Sequence, residues 1–140
     1  EISLGLVGSE MCIRDSNMVF LLYNIFQTEA IMKINFNEMT EQTIPNFLGG
    51  NGNYNVKMYV DGEGNKMMVG RLAPGSSLGL HKHVINAEAI YVLSGEGVMH
   101  TDEGDEYLKA GECTFCPKGH EHSFENQSEK DLVFFGAVIK

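Results

Sequence analysis

Tryptophan is absent from the chain, cysteine and proline occur three times each, and acidic side chains outnumber basic ones by nineteen to ten. Each shortage closes off a class of protein. Three cysteines (Cys12, Cys113 and Cys116) are too few, and odd in number, for the disulfide framework of a small secreted domain. A net charge of −9 argues against a nucleic-acid partner, because a phosphate backbone is bound by clustered Lys and Arg. No run approaches the ~20 apolar residues of a membrane span; the apolar stretch from Val19 to Tyr23 is far too short. A secretory leader needs a basic start and a small-residue cleavage site. Arg14 is the only basic residue before Lys33, and Asp15 follows it. The expectation is a cytoplasmic protein with no membrane partner. At 140 residues the chain has length for one domain with a modest core.

Glycine, by contrast, is plentiful at 16 residues, which fits many short strands joined by tight turns. The first thirty-one residues stand apart. Residues 1–16, E-I-S-L-G-L-V-G-S-E-M-C-I-R-D-S, match no element of the later chain and resemble a translated sequencing-adapter scar. Asn17 to Ile31 is read-through or a short extension whose apolar residues do not fall on one face. Met32-Lys33 reads as the natural start. The expected division is therefore 1–31 as a non-native or disordered extension, with Cys12 irrelevant, and 32–140 as the folded domain.

From Met32 onward the pattern is all-β. Met32 to Pro45 gives a short strand or a helical turn, with Thr40 a possible N-cap. Gly49-Gly-Asn-Gly-Asn-Tyr54 is a loop by composition; it lacks the G-K-[ST] ending of a phosphate cradle, and no clear helix follows it. Tyr54–Val60, with Val56, Met58 and Val60 on one face, and Lys66–Leu72 form a hairpin around Asp61-Gly62. Further strands are expected at 78–83, 89–94, 97–101, 106–109, 113–116, 122–125 and 132–139. Strands at such short, regular spacing with polar turns between them indicate a sandwich or barrel. From Met32 onward no helix-turn-helix is expected before the barrel.

The chemistry lies in Gly75–Asn126. His81 and His83 stand at i, i+2, so on a strand both imidazoles share one face, about 7 Å apart along the chain. Glu88 opens the next strand and could reach the same point if that strand pairs with the first. His122 comes from a distant strand that only a closed barrel or sandwich would bring near. Three neutral imidazoles and one carboxylate suit Fe, Mn, Zn, Ni or Cu and leave up to two positions open on an octahedral ion. Lys82 should face away. A single histidine is ordinarily a core or surface residue; four ligand-type residues in one frame are a different matter. His120 is a possible further polar group at the mouth, and His100 a weaker one. Cys113 and Cys116 point to opposite faces of a strand, so their C-x2-C spacing reads as packing rather than a zinc site. Phe115, Phe124, Phe134 and Phe135 read as core or cavity wall. Met58, Met67, Met68 and Met99 read as gap-filling core, with some free to line a cavity. Asn126 could bond its own loop, and its match to a glycosylation sequon reads as chance.

The frame is Gly75-x5-His81-x-His83-x4-Glu88-x6-Gly95, then Gly111-x5-Pro117-x-Gly119-x2-His122-x3-Asn126. It resembles both signature motifs of the cupin superfamily, with every position matched. The resemblance implies a double-stranded β-helix (jelly-roll) barrel over most of 32–140. It also implies a metal inside, held by His81, His83, Glu88 and His122, and a homodimer formed through outer β-sheets. Gly95 and Gly111 should take positive φ where strands reverse, and Pro117 with Gly119 should turn His122 into the barrel. The expected function is a metal-dependent enzyme on a small organic molecule, of dioxygenase (oxidoreductase), lyase or isomerase type. The alternative is a non-catalytic module that binds a small molecule or a metal. No catalytic acid or base stands out, and fold alone does not name a reaction.

Overall fold

In the computed structural model the described residues are 31–140, and the compact unit they form spans Ile34–Lys140. The expectations for residues 1–30, Cys12 included, lie outside the described residues. The unit contains ten strands: β1 (Gln42–Pro45), β2 (Asn53–Val60), β3 (Lys66–Leu72), β4 (Ser77–Lys82), β5 (Ala87–Ser94), β6 (Glu96–Thr101), β7 (Gly104–Lys109), β8 (Cys113–Cys116), β9 (Glu121–Glu125) and β10 (Leu132–Ile139). Two single 3-10 turns, Phe36–Glu38 and Phe47–Gly49, precede β2. The stretch Met32–Pro45 therefore holds both a helical turn and a strand. The turn is capped by Asn35, whose side chain accepts from Asn37 N, and not by Thr40. The reason is local: Asn35 sits in extended backbone at the turn's first free N–H, whereas β1 begins just after Thr40.

The strands make two sheets. The larger has the order β1-β2-β3-β10-β5-β8 and the smaller β4-β9-β6-β7. Every pairing is antiparallel. Their inner faces meet in one core that takes Val56, Leu72, Ile90 and Phe134 from the large sheet and Leu78, Met99 and Phe124 from the small one. The rings of Phe124 and Phe134 pack edge to face across it, 5.4 Å between centroids. Side chains this deeply buried each contribute about 1.5–3 kcal/mol. Alternation along β10 is clean: Leu132, Phe134, Gly136 and Val138 are buried and the residues between them are not. This is a jelly-roll β-barrel of two facing sheets.

The turns follow their residues. Asp61 Oδ1 accepts from Glu63 N and Asn65 N, closing the β2–β3 hairpin. Gly95 and Gly111 adopt φ of 81° and 92°. Asn126 is fully buried; its amide donates to the Leu72 and Lys130 carbonyls and its oxygen accepts from Ser128, so it does tie its own loop. Met68 and Met99 are core, but Met67 is half-buried on the outer side of the large sheet. Two aromatics depart from expectation: Phe115 is 64% exposed, because Cys116, its neighbour, takes the inward position on β8, and Phe135 lies on the outer face of β10, where Phe134 and Gly136 take the inward positions. The C-x2-C pair splits as geometry requires, Cys113 exposed and Cys116 buried.

Candidate metal centre

Four residues meet between the sheets. His81 lies on β4, His83 one residue past its end, His122 on β9 and Glu88 on β5. His81 and His122 are direct partners across the β4–β9 ladder. Glu88 arrives from the opposite sheet, where it pairs with Val138 and Cys116, and not from a strand paired with β4. The site therefore joins the two sheets across the core.

The inward aim of the histidines depends on an irregularity. Leu78 pairs with Phe124 and is buried; His81 pairs with His122. Three steps on β4 match two on β9, so β4 carries one extra residue, a β-bulge. Strict alternation from Leu78 would turn Leu80 and Lys82 inward and both histidines outward. The bulge reverses that parity: Leu80 is 60% exposed, Lys82 is exposed, and His83 is buried. Gly79 makes the bulge possible, because a Cβ there would lie 2.0 Å from the Leu48 carbonyl oxygen. The backbone of His83 is held from both sides: its N–H donates to His120 O at 2.9 Å, and its carbonyl accepts from Gly119 N at 2.6 Å.

The donor atoms converge. Glu88 Oε2 lies 2.9 Å from His122 Nε2, 3.2 Å from His83 Nε2 and 3.8 Å from His81 Nε2. His122 Nε2 is 3.0 Å from His83 Nε2 and 3.2 Å from His81 Nε2. The far nitrogens set the tautomers. His81 Nδ1–H donates to Gly79 O at 2.9 Å and His83 Nδ1–H to Asn86 Oδ1 at 2.7 Å, so both Nε2 atoms present lone pairs inward. Lone pairs at this separation repel one another unless a cation or proton lies between them. Donors bound at about 2.1 Å and at right angles stand about 3.0 Å apart, and the Nε2 separations are close to that. One ligand atom from each of the four residues lies within 4.8 Å of all the others, and the group could hold a metal ion. His122 Nδ1 is buried without a partner.

Electrostatics agree with the donor set. Burial pushes the Glu88 carboxyl up, but where protons rather than a cation lie between the donors, the surrounding His122, His81 and His83 nitrogens outweigh it and hold the group well below the usual carboxylate range. The hydrogen bond to Glu88 raises His83 against the opposing effect of burial.

A cavity of about 210 Å³ opens onto this group. Phe47, Met58, Met68 and Val138 give it apolar walls, and Lys66 and Lys82 stand among its lining residues. Lys82 is thus exposed, as expected, yet still reaches the rim. His120 pairs instead with Asp102 at 3.0 Å and lines a separate recess of about 140 Å³. His100 bridges Asp105 at 2.7 Å and Glu125 at 3.3 Å, away from the metal group. Sequence reasoning missed Tyr54, Lys66 and Asn86 as cavity residues. Only the neighbourhood of Asn86 to His83 could have flagged any of them.

Comparison with known proteins agrees with this geometry. Residues 68–138 match the cupin domain family model. The chain is 38% identical over 113 residues to the "Oxalate-binding protein" of Thermotoga maritima, covering 77% of this chain and 93% of that one. It is 35% identical over 72 residues to the "Beta-alanine degradation protein BauB" of Pseudomonas aeruginosa, covering 50% and 76%. Among solved structures, a predicted oxalate decarboxylase of Thermotoga maritima superimposes with a TM-score of 0.69 at 36% identity, over 77% of this chain and 98% of that one. With both motifs on the barrel and their four ligand-type residues gathered between its sheets, the chain belongs to the cupin family.

Proposed function

We propose that the barrel, residues 32–140, binds a small organic acid of oxalate size at a divalent transition metal held by His81, His83, Glu88 and His122. The observation that carries this reading is the cavity: His81, His83 and Glu88 of the donor group line it, Phe47, Met58, Met68 and Val138 give it apolar walls, and Lys66 and Lys82 supply positive charge. Two cations at the mouth of a protein of net charge −9 are a local exception that favours an anion. The relative named for oxalate binding supports the same ligand class. The ion would be Fe, Mn, Zn, Ni or Cu. When bound it supplies a Lewis acid that neutralises and polarises the carboxylate. The chain's own part is to orient the four donors, attract the anion through the lysines and exclude water with the apolar walls.

Turnover is the second reading. The solved structure described as a predicted oxalate decarboxylase favours a lyase over dioxygenase or isomerase chemistry. Binding without turnover stands first because the cavity's other polar groups are Tyr54, Lys66, Lys82 and Asn86, with no carboxylate or imidazole beyond the donor set.

A cytoplasmic homodimer completes the proposal. The outer face of the large sheet carries an apolar row in which Phe115 neighbours Ala89, Ala137 and Met67 across β8, β5, β10 and β3. A second row runs through Tyr91, Phe135 and Val69. Such a face on a half-exposed sheet fits a second copy of the chain.

The test is elemental analysis after supplementation with each of the five metals, followed by calorimetric titration with oxalate, malonate and acetate. About one ion per chain is expected, lost in His81→Ala and His122→Ala, with oxalate binding only to loaded protein. Metal content below a few tenths of an ion per chain would overturn the metal reading. Product formation from oxalate would select the lyase.

A further inference from the structure

Tyr54 is the one cavity residue whose chemistry organic-acid binding at the metal leaves unused. It is the second residue of β2, is 1% exposed, and its ring packs 5.1 Å from that of Phe47 and 6.1 Å from a parallel Phe134. Its hydroxyl is sealed from solvent and has no hydrogen-bond partner. The ring reaches inward over Gly70: a Cβ there would lie 2.7 Å from Tyr54 Cε2. Glu88 reaches from the opposite end of the same sheet, over Gly136, whose Cβ would lie 3.5 Å from Glu88 Oε1. Gly136 pairs with Met68, two residues from Gly70 along β3, so the two glycines lie on a diagonal of adjacent strands, and Tyr54 and Glu88 line the same cavity. A phenylalanine would fill this place without leaving a donor unmatched.

We propose that the Tyr54 hydroxyl is a specificity-determining donor that bonds an oxyanion of the carboxylate bound in the cavity. The inference rests on the reading of the cavity as an organic-acid site. Burial, and then the charge of Glu88, keep the phenol protonated, so it is a donor and not a competing anion. A sealed hydroxyl without an acceptor costs free energy in the empty protein, and a ligand oxygen removes that cost. A diacid such as oxalate offers oxygens both to the metal and to Tyr54.

The experiment compares wild type with Tyr54→Phe, both metal-loaded, by calorimetry with oxalate, alongside metal analysis and ligand-free thermal unfolding. Oxalate affinity should fall roughly ten- to a hundredfold in the variant, the range of a charge-assisted hydrogen bond. Metal content should be unchanged and the ligand-free unfolding temperature equal or higher. Equal oxalate affinity overturns the assignment and leaves the organic-acid site standing. Failure of loaded wild type to bind oxalate overturns both. A lower unfolding temperature in ligand-free Tyr54→Phe overturns the assignment in either case, because it reveals a structural partner for the hydroxyl.

Discussion

Gly79→Ala should unfold the protein earlier and loosen the metal centre together. Gly79 and Gly50 lie backbone against backbone where the Phe47–Gly49 turn crosses β4. A Cβ on Gly79 would stand 2.0 Å from Leu48 O and 2.7 Å from Gly50 N, and one on Gly50 would stand 2.2 Å from Ser77 O. No flexible side-chain end is involved, so strand or turn must move. Overpacking of this kind costs about 1–3 kcal/mol, and the upper end applies where every contact is backbone. The Gly79 carbonyl also accepts from His81 Nδ1, and disturbing that bond adds about 1 kcal/mol. A total of about 3–4 kcal/mol lowers Tm by roughly 12–16 °C in a domain of this size. Differential scanning calorimetry of metal-free and metal-loaded protein measures the shift. Gly62→Ala is the control, since a Cβ at that position would meet nothing within 4 Å. The shift should be larger for the loaded protein, because a displaced His81 binds metal less well. A Tm within about 2 °C of wild type, with metal affinity unchanged, would refute the account of the bulge.

Two further outcomes concern the surface. His100 is raised above the ordinary histidine value by its hydrogen bond to Asp105, against burial, with Glu125 adding to the rise. Its contribution to stability is therefore complete below about pH 6.5 and is lost as pH rises through the higher folded value. His100→Gln should flatten that decline when denaturation is compared at pH 6 and pH 8, and NMR titration of wild type should place the His100 midpoint above 6.5. Phe115→Glu or Tyr91→Glu should give a monomer by light scattering where wild type is a dimer; a wild-type monomer would rule out the paired arrangement.

Much of the barrel was legible in the residues themselves. The hairpin around Asp61-Gly62 and the β3, β8 and β10 boundaries follow from alternation and turn chemistry, which act within a few residues. The four donor residues and their spacing were equally plain, because a motif is a local pattern. What spacing could not supply was direction. His81 and His83 turn inward only because β4 bulges against β9, and the partner that defines the bulge, His122, is 41 residues from His81. Glu88 looked like a neighbour from a paired strand and instead crosses from the other sheet. Phe115 looked like core and faces out. Tyr54 carried no signal until the fold placed it in the lining of the same cavity as Glu88. Sequence alone determined which groups are available and how many strands carry them, since propensity and period are properties of short segments. The tertiary structure decided which face each group presents and what it meets, since ladder register and sheet packing join residues far apart in the chain.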